Sequence, residues 1–314
     1  MLQFSNFIKK KKLLIPLIFF VILISGCSTN QSQTSSGTGL VIEKFESDIK
    51  GVDINPGEEL RFTLTLRNTG SEKARDIKAS IIGLDGWSEP RWIDCSAGSI
   101  GDLLPANPEY NLPSQATTCT IVANAPENPA LSQSFQPKVS VIYQYDSSTI
   151  ANIKLPSREK FIVRQDSGQP FESEILFRSR SPIDIVLDTR GEASQLRVLR
   201  NKDVIFPLFI KINNIGGGSV CETYADCLKT LKKIELRTES GSPSKLVIDT
   251  CQSKQTIDLF KGQSGELKCD LIALSGSDLS AEDLVSVTIS SKNYGYSIEQ
   301  SGQQINVKRD IKTR

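Results

Sequence analysis

The chain has 314 residues, with 37 Lys and Arg against 36 Asp and Glu, no histidine and one methionine, Met1. A near-neutral balance excludes the basic field that nucleic acid binding requires, so no nucleic acid partner is expected. Without histidine the commonest general base and metal ligand is missing and a Ser–His–Asp arrangement is impossible, so no cofactor, no metal site and no enzyme is expected.

The first element is Lys9-Lys10-Lys11-Lys12, then the apolar run Leu13–Ile24, then Ser25-Gly26-Cys27. A basic cluster, a short apolar segment and small residues at a cleavage point make an export signal. The run would span about 18 Å as a helix, well short of the hydrocarbon core of a bilayer. Ser25-Gly26 before Cys27 resembles the lipobox of prokaryotic lipoproteins, which implies lipid attachment at Cys27. An uncleaved anchor is the alternative, and Leu13–Cys27 with Pro16 is marginal for a span. Residues 1–26 are thus read as a lipoprotein signal peptide or membrane anchor. The partner is the membrane, through an N-terminal lipid or helix, and the location is the extracytoplasmic face of the cell membrane. Removing 1–26 takes four of the 37 basic residues and no acid, leaving 33 against 36, a net charge of −3.

Residues 27–38 form a flexible tether, because 28–38 offer no apolar side chain to bury. Asn30-Gln31-Ser32 is a formal glycosylation sequon within it. Beyond the tether the pattern is almost all β. Phe62–Leu66 alternates apolar and polar with period two. Further strands are expected at Val41–Glu46, Ile77–Ile82, Thr118–Ala123, Lys138–Tyr145, Ile150–Leu155, Ile183–Leu187 and Leu196–Leu199. Others follow at Leu208–Ile212, Lys233–Arg237, Lys245–Ile248, Leu284–Ser290 and Ile305–Lys308. Short strands with Gly, Pro, Asn and Ser between them suggest a sandwich. Helical signal is confined to a turn at Ser280–Asp283 and to Ala225–Lys232.

An internal repeat organises these strands. Leu64, Leu66, Asn68 and Gly70 recur as Ile210, Ile212, Asn214 and Gly216, and Val139-Ser140-Val141 recurs at the same offset as Val285-Ser286-Val287. Cys119–Ala123 recurs as Cys269–Ala273. The reading is therefore one β-sandwich over 39–165, a linker over 166–182 and a second sandwich over 183–310. Within the linker, Phe171–Phe177 is a strand that could dock on either. Besides Cys27, six cysteines in an exported chain imply disulfides, for which 15 pairings exist. Zinc is the alternative, but Cys221 and Cys227 are poorly spaced as ligands and no histidine supports it. The repeat pairs Cys95 with Cys119 and Cys251 with Cys269, which leaves Cys221 with Cys227. Each bridge stabilises by about 2–4 kcal/mol, the short one least.

Pro56-Gly57-Glu58, the strand 62–66, Asn68-Thr69-Gly70, Ala74, Asp85-Gly86-Trp87, Ile100–Leu103 and Cys119–Pro126 together resemble prokaryotic surface Ig-like modules. These are the cell-adhesion-related domain of bacteria and archaea and the Ig-like module associated with carbohydrate-active enzymes. The resemblance covers 39–146 well. It covers 183–310 more loosely, through Asn214–Gly216 and Gly265-Glu266, without the Gly-Trp element. It implies two tandem Ig-like antiparallel β-sandwiches with a non-catalytic adhesion, spacer or scaffolding role. The alternative is a glycan-binding accessory module beside a separate hydrolase. The partner beyond the membrane is then a surface protein or a glycan.

Trp92 and Tyr110, in the long loop region 83–116, are the candidate binding residues, since loop aromatics stack on sugars or anchor a partner. Trp87 is expected in the core. Tyr143 and Tyr145, and Tyr294 and Tyr296 at a hairpin, are read as covering a sheet face or edge. Ser242–Lys245 and Ser47–Lys50 match a nucleophile–lysine spacing by chance, because neither has the helical turn that chemistry needs. Asp278, Glu282 and Asp283 are solvated turn residues rather than a calcium loop.

Overall fold

The computed structural model describes residues 38–49, 51, 53–127, 129, 131–156, 158–168, 174–188, 202–221, 233–251, 255–274 and 282–308. The signal segment, Cys27, the sequon, Leu196–Leu199, Ala225–Lys232, Cys227 and Asp278 lie outside them. Lys50 does too.

The chain is an all-β antiparallel sandwich. Its strands are β1 (Leu40–Ser47), β2 (Asp53–Ile54), β3 (Glu59–Asn68), β4 (Ala74–Ile82), β5 (Arg91–Trp92), β6 (Ser99–Leu103), β7 (Ala116–Asn124), β8 (Gln133–Phe135) and β9 (Lys138–Pro156) in the first part. Then come β10 (Glu174–Arg178), β11 (Ile183–Asp188), β12 (Val204–Asn214), β13 (Ser219–Cys221), β14 (Lys233–Ser240), β15 (Leu246–Ile248), β16 (Gln255–Asp258), β17 (Ser264–Ala273), β18 (Glu282–Ser301) and β19 (Ile305–Val307). Two four-stranded sheets, β1-β3-β7-β5 and β11-β12-β17-β15, each belong to one repeat. The inward residues of β3, Leu60, Phe62, Leu64 and Leu66, and their counterparts Phe206, Leu208, Ile210 and Ile212 of β12 join one core.

The remaining large sheet is common to both repeats. It has eight strands along the order β16-β14-β18-β9-β4-β6, with β10 added to β9 and β13 to β18. Its centre is the antiparallel pair β9–β18, which runs from Glu282 opposite Pro156 to Ser301 opposite Lys138. The expected strands at 138–145 and 150–155 are therefore one strand. Every odd-numbered residue from Val139 to Leu155 is buried. The polar interruption survives because its inward hydroxyls are partnered. Ser147 Oγ lies 2.8 Å from the Tyr294 hydroxyl, and Thr149 Oγ1 donates to the Ile185 carbonyl at 2.6 Å.

Tyr294-Gly295-Tyr296 likewise sits inside β18 and not at a hairpin. A bulge between Ser291 and Tyr294 separates two registers, with Asn293 at φ +55°. The inserted residue changes the phase of burial, odd through Ser291 and even from Tyr294. Asp146 of β9 holds the bulge, accepting from the Asn293 amide at 2.7 Å and pairing with Arg75 of β4 at 2.5 Å. Glu282 and Asp283 are strand residues, not a helical turn. A helix at Arg158–Asp166 follows β9; its 158–166 sequence carries no clear apolar period, so the expectation of strands and loops there missed it. No helix among the described residues is long and apolar enough to cross a membrane.

A three-stranded sheet closes the molecule. β19, near the end of the described chain, lies parallel to β2 and antiparallel to β8, both in the first repeat. The strand expected at 305–308 thus completes residues some 170 to 250 positions before it. Cys95 is bonded to Cys119, with Cα atoms 5.7 Å apart, and Cys251 to Cys269, 5.5 Å apart, as the repeat pairs them. Cys221 is disulfide-bonded.

Candidate functional site

The repeat is written most clearly in a polar corner that occurs twice. In the first copy Asn68 Nδ2 donates to the Glu72 carbonyl at 2.8 Å and the Leu103 carbonyl at 2.9 Å. Its Oδ1 accepts from the Gly70 amide and from the Tyr145 hydroxyl, both at 3.2 Å, and that hydroxyl accepts from the Glu72 amide. In the second copy Asn214 Nδ2 donates to the Gly218 and Gly262 carbonyls at 2.9 and 3.0 Å. Its Oδ1 accepts from the Tyr296 hydroxyl at 2.6 Å, which accepts from the Gly218 amide at 2.9 Å. A Cβ at Gly70 would run into the Tyr145 hydroxyl and the Arg180 carbonyl, and one at Gly216 would sit 2.6 Å from the Tyr296 hydroxyl. The glycine of Asn-x-Gly is required by that close approach.

Chain passing from one repeat to the next is hydrogen-bonded to both corners. The Ser71 amide donates to the Arg180 carbonyl, and the Ile215 and Gly216 amides donate to the Pro182 carbonyl. The four tyrosines meet at the β9–β18 crossing, with Tyr294 opposite Tyr145 and Tyr296 opposite Tyr143. Tyr143 and Tyr145 pack edge to face at 5.9 Å, and Tyr143 and Tyr296 meet tilted at 58° with centroids 5.7 Å apart. They are core residues, not a face or edge cover. Burial raises the Tyr143 and Tyr294 hydroxyls well above the ordinary phenol range, and it raises Tyr145 as well. Burial pushes Tyr296 up to about 12, opposed by its bonds to Gly218 and Asn214.

These values give the corners a pH dependence. An unfolded tyrosine ionises near 10 and native Tyr296 near 12, so the stabilisation is complete below pH 10 and is lost as pH rises through 12. Tyr296 alone accounts for about 3 kcal/mol of it. The melting temperature is expected to hold between pH 7 and 9 and to fall steeply above 10. A transition unchanged at pH 11.5 would contradict the assignment.

Of the sequence-derived binding residues, the structure separates Trp92 from Tyr110. Trp92 lies on edge strand β5 opposite Ile121, half-buried against the core. A Cβ on Gly98 would sit 3.3 Å from its ring, so Gly98 lets the backbone pack against it. Trp87 is in the core at 9% exposure, edge-on to Phe135 at 5.5 Å. Tyr110 is 72% exposed and no ring contact joins it to Trp92 among the described residues.

Tyr110 ends a short 3-10 turn, Pro108–Tyr110, at the tip of an ordered projection between β6 and β7. Asn107 caps the turn by accepting from the Glu109 amide at 3.1 Å. Asn111 closes it in the left-handed region at φ +52°. Below the tip, Asn107 and Leu112 exchange two backbone bonds of 2.9 Å, and the Gln115 amide donates to Leu104 at 3.1 Å. The projection presents Tyr110, Leu104 and Leu112 to solvent. The two leucines carry no chemical signal in sequence, and only the exchange of backbone bonds reveals them. Such a tip can stack or anchor; it has no acid–base pair.

Elsewhere the chemistry is sparse. Ser242 and Lys245 occupy a backbone turn in which the Lys245 amide donates to the Ser242 carbonyl, and Ser47 ends β1. No group of three potential metal ligands is present among the described residues. The Glu72 carboxyl is raised, chiefly by burial and then by Asp146, but Asp146 is engaged by Arg75 and Asn293.

No family model matches the chain, and no curated protein matches it. Among solved structures, the secreted serine protease VesC from Vibrio cholerae overlaps 82% of this chain at 9% identity and a TM-score of 0.23. The chain spans 52%, about half, of that protease's length. The collagen adhesin CNA from S. aureus overlaps 87% of this chain and 92% of its own, at 12% identity and a TM-score of 0.11. The collagen binding domain of the Erysipelothrix rhusiopathiae surface protein RspB overlaps 87% and 97%, at 10% identity and a TM-score of 0.11. Likenesses this weak carry no argument, and the fold rests on the chain's own sheets.

Proposed function

We propose that this chain is a non-catalytic lipoprotein held at the extracytoplasmic face of the cell membrane through Cys27, where its twin Ig-like sandwich serves adhesion, spacing or scaffolding. The observation that carries the reading is the disulfide staple in each repeat. Such bonds persist in oxidising compartments, and the export signature at residues 9–27 supplies a route to one. The joined sheet supports a rigid presenter: both halves would move as one body with the Tyr110 tip exposed. The lack of histidine and of an acid–base pair at the tip fits a role without turnover.

The test is a Cys27→Ser variant compared with the native chain by fractionation and mass spectrometry. The native protein is expected in the membrane fraction with a diacylated N-terminal cysteine, and the variant is expected to lose that modification. A native chain that is soluble in the cytosol with free thiols would overturn the proposal. A second reading, a glycan-binding accessory module, is favoured only by the exposure of Tyr110. Retention of the native chain on a polysaccharide column, abolished by Tyr110→Ala, would select it; a spacer would not be retained.

A further inference from the structure

The Tyr110 projection has a counterpart in the second repeat. β6 leaves one flank of the large sheet and passes through that projection to β7, and β16 leaves the opposite flank and passes through 259–263 to β17. β6 pairs with β4 and β16 with β14, while β7 pairs with β3 and β17 with β12, so the two loops are topological equivalents. Each is seated on its own corner: the Asn68 amide donates to the Gln115 carbonyl at 3.1 Å, and the Asn214 amide to the Gln263 carbonyl at 2.7 Å. The loops differ in length and sequence, yet each presents one aromatic followed by a residue in the left-handed region. These are Tyr110 then Asn111 at φ +52°, and Phe260 then Lys261 at φ +51°. Both turns are closed by backbone bonds, from the Asn111 amide to Pro108 at 3.3 Å and from the Phe260 amide to Ser264 at 2.7 Å. Phe260 is 71% exposed, as open as Tyr110.

We propose that Tyr110 and Phe260 are twin stacking platforms for a neutral polysaccharide, set on opposite flanks so that one molecule bridges two stretches of polymer. This rests on the glycan-binding reading and extends it to the second repeat. A single exposed aromatic is ordinary; one at the equivalent loop of both copies, packed into neither core, points to a use. Each ring is flanked by exposed hydrogen-bonding side chains, Glu109 and Asn111 beside Tyr110, and Lys261 and Gln263 beside Phe260. A sugar offers an apolar C–H face to the ring and hydroxyls to those groups. A protein anchor instead needs a desolvated cluster rimmed by further contacts, and the exposed Leu104 and Leu112 near Tyr110 have no counterpart within 258–264. The flanking charges are opposite in sign, Glu109 against Lys261, so a polymer that suits both sites is uncharged. From β16 to β6 the sheet takes five strand-to-strand steps, about 24 Å. A short oligosaccharide therefore occupies one platform, and only a polymer engages both.

The test runs the full chain, in nonionic detergent, through native gels cast with hydroxyethylcellulose, arabinoxylan or galactomannan. The native chain is expected to be retarded by at least one of these polymers. Tyr110→Ala and Phe260→Ala are each expected to weaken that retardation about tenfold or more, because the second contact is intramolecular once the first is made. The double variant is expected to migrate as it does without polymer. In solution the native chain is expected to raise the light scattering of the same polymer, whereas either single variant binds without bridging and leaves it unchanged. All three variants are expected to keep the native melting temperature, since both rings lie outside the core. If the native chain is retarded and Phe260→Ala matches it, or if the single variants scatter as the native chain does, the bridging is overturned and a single site at Tyr110 stands. A native chain retarded by none of the three polymers overturns both.

Discussion

Ending the chain at Gly302 is expected to unfold the first repeat, although the residues removed lie at the far end of the sequence. β19 is seated between β2 and β8, and the Lys308 amide donates to the Ile54 carbonyl at 3.0 Å. Ile305 and Val307 are fully buried. Withdrawing both side chains forfeits about 3–6 kcal/mol of apolar burial, a large share of the 5–15 kcal/mol that a domain has in total. It also leaves edges of β2 and β8 unpaired. The readout is direct, because both tryptophans of the chain, Trp87 and Trp92, belong to the first repeat and Trp87 packs on Phe135 of β8. The tryptophan emission of the truncated chain is expected to shift to the red, with its urea midpoint much reduced. A midpoint matching the full chain would show that β19 is dispensable.

That strand adds to the backbone pairing that joins the two repeats. The chain builds the first sandwich, leaves it through β10 and the 179–182 segment bonded to both corners, builds the second, and returns through β18 to complete the first. Neither copy is finished without sequence from the other: β9 supplies residues 147–156 opposite β18, and β18 supplies 294–301 opposite β9. Duplicated modules on a flexible linker would move independently. Here backbone pairing runs across the whole length of the central strands.

Much of this architecture was legible in the sequence, and the illegible parts have identifiable causes. Period-two runs such as Phe62–Leu66 announce themselves, since one face is buried and the other wet. The recurrence of Asn-x-Gly marks the duplication because the asparagine satisfies the same corner in both copies and the glycine admits the tyrosine hydroxyl. The length of β9 was hidden by Asp146–Thr149, where inward Ser147 and Thr149 find partners that no local pattern reveals. In β18 the Lys292-Asn293 bulge imitates a turn: asparagine at positive φ normally reverses a chain, and here it only shifts the register by one residue. For the binding residues, aromatic identity alone did not distinguish Trp92 from Tyr110. The packing of Gly98 against Trp92 and the capped turn beneath Tyr110 did.

The corner itself yields the other large effect. Asn68 is completely buried and satisfies two carbonyls, one amide and one hydroxyl. Asn68→Ala strands these groups, each costing about 1–3 kcal/mol when buried unpaired, so a loss of about 4 kcal/mol is expected. Tyr145→Phe leaves Oδ1 of Asn68 bonded to Gly70 but strands the Glu72 amide, and is expected to cost about 1–3 kcal/mol. Asn68→Asp is expected to be worst of the three: it keeps the acceptor for Tyr145 but turns a donor into a carboxylate facing the Glu72 and Leu103 carbonyls, at a fully buried position. Because Asn68 and Tyr145 share a bond, the double variant is expected to be less damaging than the sum of the singles, by about 1 kcal/mol. In the second copy Asn214 is only half-buried, so Asn214→Ala is expected to follow the same pattern at a smaller scale. Urea unfolding followed by far-ultraviolet circular dichroism measures all five variants. Equal losses at Asn68 and Asn214, or Asn68→Asp behaving like the native chain, would show that burial of the amide is not what locks the corner.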